Sequence, residues 1–250
     1  MTGFAMQIKR PLLGPVTLAL LAAVIGLGSA TAHSEERANC GYKGVEIAYT
    51  DRGDLRVACE ALADVVGYFR RIGFRIAPKF FLTFEDYDDR ESAHRLLTYG
   101  HFDPRASRIV VYRASSIQPW GLPWSKRLAA SFLRHELVHM AVWQVIGHDS
   151  ARLRPEWHEF IAYAVQLDLM DRELRDEVLA KVSNVSPVAD LSQVNEFTSA
   201  MNPDAFAVAA YKTYRERGAE VFVRQLLRHE IVPPRLSFPF AVVPEREPAR

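Results

Sequence analysis

The segment His135-Glu136-Leu137-Val138-His139 has the residue types and the spacing with which many proteins bind a catalytic metal. Two histidines four positions apart lie on one face of a helix, so their imidazoles can bind one small cation. Glu136 projects about 100° around the helix from His135, within reach of a metal-bound water without being a ligand. Such a carboxylate can accept the proton of that water, whose pKa falls to about 7 on the metal. The segment therefore predicts metal-assisted hydrolysis with Glu136 as the general base.

The residues around this segment predict a helix that faces the protein core. Ser125 can cap its start, and Gly147 ends it after about Ile146. An apolar stripe advances in steps of four, three, four and three through Leu128, Phe132, His135, His139 and Val142. The alternative is a pair of core histidines satisfied by hydrogen bonds alone. Without a metal, each polar group left unsatisfied there costs about 1–3 kcal/mol, so we favour the metal.

A catalytic zinc site needs a third protein ligand and an open fourth position. A second helix begins at Pro155 and is predicted to reach about Val182. If it runs antiparallel to the first, it must retrace part of the roughly 15 Å between the histidines and the turn near Gly147. Glu159, twenty positions after His139 (159 − 139), falls in that zone. We therefore predict Glu159 as the third ligand.

Other residues near the turn compete for this role. His148 and Asp149 lie at the turn itself, too early to face the histidines. His158 is adjacent to Glu159 but about 100° away around the helix, and it stays open as an alternative ligand.

The sequence before the His135–His139 segment predicts that the N-terminal half of the domain is a small mixed α/β unit. It contains a strand, an amphipathic helix, a β-rich run, a short helix and a further strand: Val45–Tyr49, Leu55–Arg71, Phe74–Phe84, Glu91–Tyr99 and Ser107–Arg113. The acidic cluster Glu85–Asp89 is interpreted as a solvated loop or helix start, because it lacks the spacing of a calcium loop.

The chain after that segment predicts a helical half. Residues Ser183–Met201 are interpreted as a loop with a short turn, followed by helices over Pro203–Tyr214 and Val221–Leu227. We therefore predict one α+β domain over residues 33–231, with the mixed half packed on the helical half. Residues 232–250 are rich in proline and are predicted to form an extended tail.

The N-terminus has the pattern of a secretory signal peptide. Basic Lys9 and Arg10 precede the uncharged apolar run Pro11–Gly28, and Ala30-Thr31-Ala32 supplies a small-residue cleavage site. We expect cleavage between Ala32 and His33, with an uncleaved membrane anchor as the alternative. The mature protein would then be periplasmic or secreted, with no stable association with a membrane.

Composition and cysteine content fit this compartment. The 250 residues are 49% hydrophobic and 24% charged, with a formal net charge of +1, which argues against a nucleic-acid partner. Cys40 and Cys59 are the only cysteines, too far apart for a redox motif and too few for a structural zinc cage. In an oxidising compartment we expect them to form one disulfide, which stabilises the fold by about 3 kcal/mol.

Together with the segment 155–163, Pro-Glu-Trp-His-Glu-Phe-Ile-Ala-Tyr, the H-E-L-V-H sequence resembles the gluzincins, the thermolysin-like zinc metallopeptidases. In gluzincins a glutamate on the next helix completes a site of two histidines and one glutamate. The resemblance therefore implies Zn²⁺ bound by His135, His139 and Glu159.

The second segment is also similar to the W-x-x-E-G-x-A-x-Y pattern of many small gluzincins, with two departures. Trp157 is one residue nearer the glutamate, and Phe160 replaces the usual glycine. The resemblance covers about Ser107–Met170 and extends loosely to Phe206–Leu227. The metzincin pattern is excluded, because Val145 stands where a third histidine would be required.

The resemblance also implies roles beyond the metal ligands. Ser107–Arg113 would be the edge strand along which a peptide lies. Gluzincins place a tyrosine or histidine near the developing oxyanion, for which we take Tyr211 first, with Tyr214 and His229 as alternatives. The partner that orients the zinc histidines is left open, because Tyr163 stands where the thermolysin pattern has an aspartate.

These observations predict a zinc metallopeptidase that acts on a peptide or protein substrate. Two alternatives remain: a non-catalytic exported protein whose zinc is structural or forms a binding surface, and a zinc hydrolase of a non-peptide bond. Glu136 argues against a purely structural site, which has no use for that carboxylate.

Overall fold

The computed structural model describes residues 35–86, 99–113, 118–147 and 153–234. Within these ranges the strands are β1 (Glu36–Ala38), β2 (Val45–Tyr49), β3 (Phe80–Glu85), β4 (Gly100–Asp103) and β5 (Arg108–Tyr112). The helices are α1 (Arg52–Arg71), α2 (Lys126–Ile146), α3 (Pro155–Leu169), α4 (Arg172–Lys181), α5 (Glu196–Met201), α6 (Pro203–Glu216) and α7 (Glu220–Leu227). Short 3₁₀ turns cover Pro119–Gly121 and Leu191–Gln193. The mixed half followed by a helical half confirms the α+β class.

The five strands form one mixed sheet in the order β1-β2-β3-β5-β4. Strands β2, β3 and β5 are parallel and occupy the centre, while β1 and β4 are antiparallel edges. The central strands carry β-branched and aromatic residues and are largely buried, as in a sheet covered by helices. The sheet therefore has two short edges, and β4 is the one that approaches α2.

The strand predictions are partly confirmed. Val45–Tyr49 is a strand as predicted, and the strand within Ser107–Arg113 is β5. Its predicted place at the edge is wrong, because β5 pairs with β3 on one side and with β4 on the other. The edge is Gly100–Asp103, a strand too short and too polar to give an alternating pattern. The run Phe74–Phe84 becomes a strand only at Phe80, after Pro78.

Helix α2 lies at the centre of the domain, in contact with α1, α3 and the sheet. Its start is capped as predicted, since the Ser125 hydroxyl accepts from the Leu128 N–H at 3.2 Å. It ends at Gly147, whose φ of 66° lies in the region that favours glycine. This helix carries the histidine pair into the core.

The helical half differs from its prediction at two places. The long helix predicted from Pro155 to Val182 is two helices, because Met170 is extended and the Asp171 side chain caps α4 by accepting from the Leu174 N–H at 3.2 Å. The segment predicted as a loop with a short turn over 183–201 contains the six-residue helix α5, whose start is fixed by a capping box between Asn195 and Thr198. In both cases a side-chain cap sets the helix boundary, and the spacing of apolar and polar residues alone does not show it.

The predicted disulfide is present between Cys40 and Cys59, with their Cα atoms 5.3 Å apart. It ties the segment before β2 to α1. Among the described residues no helix combines the length and the apolar character that crossing a membrane requires. The predicted signal peptide (1–32), most of the helix predicted at 91–99 and residues 235–250 of the predicted tail lie outside the described residues.

Candidate metal centre

His135 and His139 stand one helical turn apart on α2, and their rings meet edge to face with centroids 4.6 Å apart. The two Nε2 atoms are 3.0 Å from each other. The His135 side chain is only 7% exposed and that of His139 is 15% exposed, so both imidazoles are largely shielded from solvent. Two buried ring nitrogens that face each other require a shared proton or a shared cation.

Glu159 of α3 brings one carboxylate oxygen to each histidine. Its Oε2 lies 3.3 Å from His135 Nε2, and its Oε1 lies 3.4 Å from His139 Nε2. The three side chains form a group whose ligand atoms all lie within 4.8 Å of one another. The structure thus brings Glu159, and not its neighbour His158, to the two imidazole nitrogens.

The spacing of these atoms fits a zinc ion. A tetrahedron with bonds of about 2.0–2.1 Å has edges of about 3.3–3.4 Å, close to the two carboxylate–imidazole distances. Two imidazoles and one carboxylate are also a donor set that zinc hydrolases use. The residues present therefore fit Zn²⁺ with one coordination position left for a water or a substrate.

The three groups also shift one another's pKa values. Burial alone would lower the pKa of His139, but the adjacent Glu159 carboxylate outweighs it and raises that pKa. Burial would raise the pKa of Glu159, but the two imidazoles hold it well below its usual range. Burial lowers the pKa of His158 to about 4, with a contribution from His139, so this neighbour is neutral at pH 7. The site is a strongly coupled cluster around one carboxylate.

Glu136 is buried beside this group without belonging to it. Burial raises the pKa of its carboxyl, against the influence of the two histidines and of a hydrogen bond from the backbone of Phe102 in β4. Gly100, two positions earlier in the same strand, also lies against Glu136. A Cβ added at Gly100 would lie 3.2 Å from Glu136 Cγ and 2.7 Å from the Val110 carbonyl oxygen. The edge strand therefore packs directly on the predicted general base.

A hydrogen-bond chain behind His135 fixes the orientation of its ring. His135 Nδ1 lies 3.0 Å from Gln166 Oε1, and Gln166 Nε2 donates to the Ser131 hydroxyl at 2.9 Å. Because the amide oxygen accepts, His135 carries its proton on Nδ1 and leaves Nε2 free for a metal. Sequence reasoning missed Gln166, although it lies seven positions after Glu159, on the same face of α3 two turns later.

The metal group opens into a cavity of about 670 Å³. The cavity extends along α2 in both directions from the histidines, towards Phe132 at one end and towards Trp143 at the other. Strand β4, helix α3 and the junction of α5 with α6 provide the other walls. The exposed Met201 stands at that junction.

The three residues predicted as oxyanion donors do not line this cavity. Tyr211 is buried in α6 with its ring 6.3 Å from that of Tyr214, and the Tyr214 hydroxyl donates to Asp168 at 3.2 Å. His229 lies beyond α7. Tyr163 does line the cavity, with its ring centroid 4.4 Å from that of His135. The geometry therefore favours Tyr163 over Tyr211 as the oxyanion donor, because Tyr163 lines the cavity beside His135 and Tyr211 does not. Tyr163 lies one turn after Glu159 on the same helix.

The fold and the site together define an α+β domain with a candidate His-His-Glu metal centre beside a cavity. By its sequence the chain belongs to DUF6639, a family of unknown function whose family model matches residues 45–236. The matched segment includes the three candidate ligands, Glu136 and Gln166. Neither a curated protein nor a solved structure matches the chain.

Proposed function

We propose that this protein is a zinc-dependent hydrolase of the gluzincin type, acting on peptide bonds. The observation that carries the proposal is the convergence of His135, His139 and Glu159 at a cavity with Glu136 buried beside them. A structural zinc site is usually closed by four protein ligands, whereas a catalytic site has three and an accessible position. Among the described residues the metal group has three members and faces the cavity.

The chain's own residues provide the steps of hydrolysis around this site. When bound, Zn²⁺ would polarise the substrate carbonyl and lower the pKa of water. Glu136 accepts the proton of the attacking water and then delivers it to the leaving amine, while the Phe102 backbone holds the carboxylate in place. Tyr163, which lines the same cavity, can donate a hydrogen bond to the oxygen that gains negative charge.

The position of β4 supports a peptide as the substrate. Within the described ranges this strand pairs with β5 alone, and Gly100, His101 and Phe102 all line the cavity. An extended peptide can pair with a strand at the edge of a sheet through main-chain hydrogen bonds. In the gluzincins that this sequence resembles, the edge strand serves that purpose.

Export to the periplasm or to the outside of the cell is part of the proposal. The disulfide between Cys40 and Cys59 is a bond that persists in oxidising compartments. Together with the N-terminal apolar run, it supports a secreted peptidase.

The test compares the wild type with Glu136→Gln and with an exposed carboxylate control, Glu177→Gln on α4. Each protein is loaded with one equivalent of zinc and incubated with a peptide library, and cleavage is read by mass spectrometry. We expect Glu136→Gln to retain its zinc and to lose turnover by about 10²–10⁴-fold, as when a general base is removed. Glu177→Gln should cleave like the wild type.

The same experiment separates the alternatives. Turnover that survives in Glu136→Gln would contradict the assigned base. Stoichiometric zinc without cleavage of any peptide by the wild type would favour a structural or binding role, or a non-peptide substrate.

A further inference from the structure

One end of the cavity contains a carboxylate that the metal centre does not use. Three acidic side chains are among the described residues that line the cavity, and Glu136 and Glu159 belong to the metal centre. The third is Asp204, the second residue of α6, which is half-buried. Tyr99 and Phe132 line the cavity near it, because Asp204 binds the backbone of Trp120, whose ring stacks on Phe132.

Among the described residues, one carboxylate oxygen of Asp204 has a hydrogen-bond partner and the other has none. Oδ2 accepts from the Trp120 backbone N–H at 2.8 Å and so holds the turn at Pro119–Gly121. The start of α6 does not need Asp204 as its cap, because the Asn202 side chain accepts from the Ala205 N–H at 3.0 Å. Within the described ranges no lysine or arginine forms an ion pair with this carboxylate.

The pKa of Asp204 agrees with this picture. Burial raises it, and the only opposing influence from a described residue is the hydrogen bond from the Trp120 N–H. This is the direction expected for a half-buried carboxylate that has no cation beside it among the described residues.

The walls around Asp204 are aromatic. The ring of Phe132 lies 4.1 Å from that of Tyr99 and 5.5 Å from that of Trp120, measured between centroids. Aromatic faces attract ammonium and guanidinium groups, and apolar walls accommodate the alkyl stems of lysine and arginine. The chemistry of this end of the cavity thus suits a long side chain with a cationic tip.

This end is close to the metal centre. Phe132 lies between the two, since its ring centroid is 6.4 Å from that of His135 and 5.5 Å from that of Trp120, whose backbone N–H binds Asp204. Burial raises the pKa of Tyr99, and the negative charge of Asp204 raises it further. A group bound at Asp204 is therefore about one aromatic ring away from the reacting bond.

We infer that Asp204, with Tyr99 and Phe132 as walls, forms a subsite for a cationic group of the substrate, either a lysine or arginine side chain or a free amino terminus. The inference rests on the proposed peptidase function and adds its substrate class. Asp204 is a specificity residue: it selects the substrate and takes no part in the chemical step.

The test uses zinc-binding hydroxamates, which bind at the open metal position and are not cleaved. Nα-acetyl-lysine hydroxamate is compared with Nα-acetyl-norleucine hydroxamate, which has a neutral side chain of similar length, and with norleucine hydroxamate carrying a free α-amine. Dissociation constants are measured by calorimetry on zinc-loaded wild type and Asp204→Asn. Asparagine keeps the oxygen that accepts from Trp120 and removes only the charge. Asp176→Asn, an exposed position on α4, is the matched control.

We expect the wild type and Asp176→Asn to bind the lysine compound about tenfold more tightly than the acetylated norleucine compound, as for a hydrogen bond to a charged group. Asp204→Asn should remove this ratio and leave the affinity for the acetylated norleucine compound unchanged. If only the free α-amine confers the gain, the subsite stands and its ligand is the amino terminus.

Equal binding of all three compounds to the wild type, or a ratio that persists in Asp204→Asn, would overturn the subsite and leave the metal centre intact. If no hydroxamate binds although zinc is stoichiometric, the open metal position is absent, and the proposed function and the subsite fail together.

Discussion

The two walls of the cavity that face each other across the metal centre are held in different ways. The α2–α3 wall is fixed from behind, because Gln166 and Ser131 hydrogen-bond behind His135 and the core surrounds both helices. The β4 wall is a partly exposed strand of four residues that, in the part of the chain the structure describes, pairs only with β5. The groups proposed to bind a metal thus lie on the rigid α2–α3 wall, and the surface proposed to receive a substrate lies on the weaker β4 wall. The β4 wall can therefore shift when a substrate binds without displacing the proposed metal ligands on the α2–α3 wall.

The largest effect should come from the rigid wall. Glu159→Gln removes the charge that both imidazoles face, so we expect the zinc dissociation constant to rise by at least about 100-fold. The neighbouring variant His158→Gln is the matched comparison and should change the zinc affinity by less than about threefold. A competitive chelator titration measures both. The reverse ranking would make His158 the third ligand.

The disulfide should affect the fold and leave the site unchanged. Replacing Cys40 and Cys59 together by serine should lower the free energy of unfolding by about 3 kcal/mol, because the reduced chain gains conformational freedom. Zinc affinity should stay the same, since neither cysteine lines the cavity. Chemical denaturation and zinc titration on the same samples check this, and a loss of zinc affinity would show that the two regions are coupled.

The hydrogen bonds behind His135 should have a smaller effect on the metal. Gln166→Leu removes the acceptor for Nδ1 and should weaken zinc binding by about 10–100-fold. Gln166→Glu keeps an acceptor and should restore most of the affinity, whereas Gln144→Leu, at an exposed position on α2, should change nothing. A merely structural role for Gln166 would give the same loss with glutamate as with leucine.

The smallest effect should come from the β4 wall. Gly100→Ala places a methyl group against the Val110 carbonyl and Glu136, so β4 must shift, at a cost of about 1 kcal/mol of stability. Turnover should fall while zinc affinity stays within about threefold of the wild type. Gly67→Ala in α1 is the control, because its methyl group would meet only the end of Arg71 at 3.9 Å. If Gly100→Ala instead weakens zinc binding, the two walls are not independent.

The same division explains what the sequence could predict. The histidine pair and Glu159 follow from helical periodicity and the length of one helical hairpin, both of which are local patterns. The approach of Phe102 to Glu136 depends on which strand forms the edge of the sheet, and that is decided by pairing between distant segments. Asp204 joins the cavity only because α6 packs against α3. Tyr163 and Gln166 could have been predicted from the sequence, because they lie one and two turns after Glu159 on the same helix.

The hydrogen bond from His135 to Gln166 has a consequence for how the protein would take up the proposed zinc ion. A ring already held with Nε2 facing the neighbouring imidazole does not have to be ordered by the incoming ion. Zinc would then bind to a site that is already formed, unlike in small zinc domains, where metal binding drives folding. A chelator should therefore strip the ion and leave the circular dichroism spectrum unchanged.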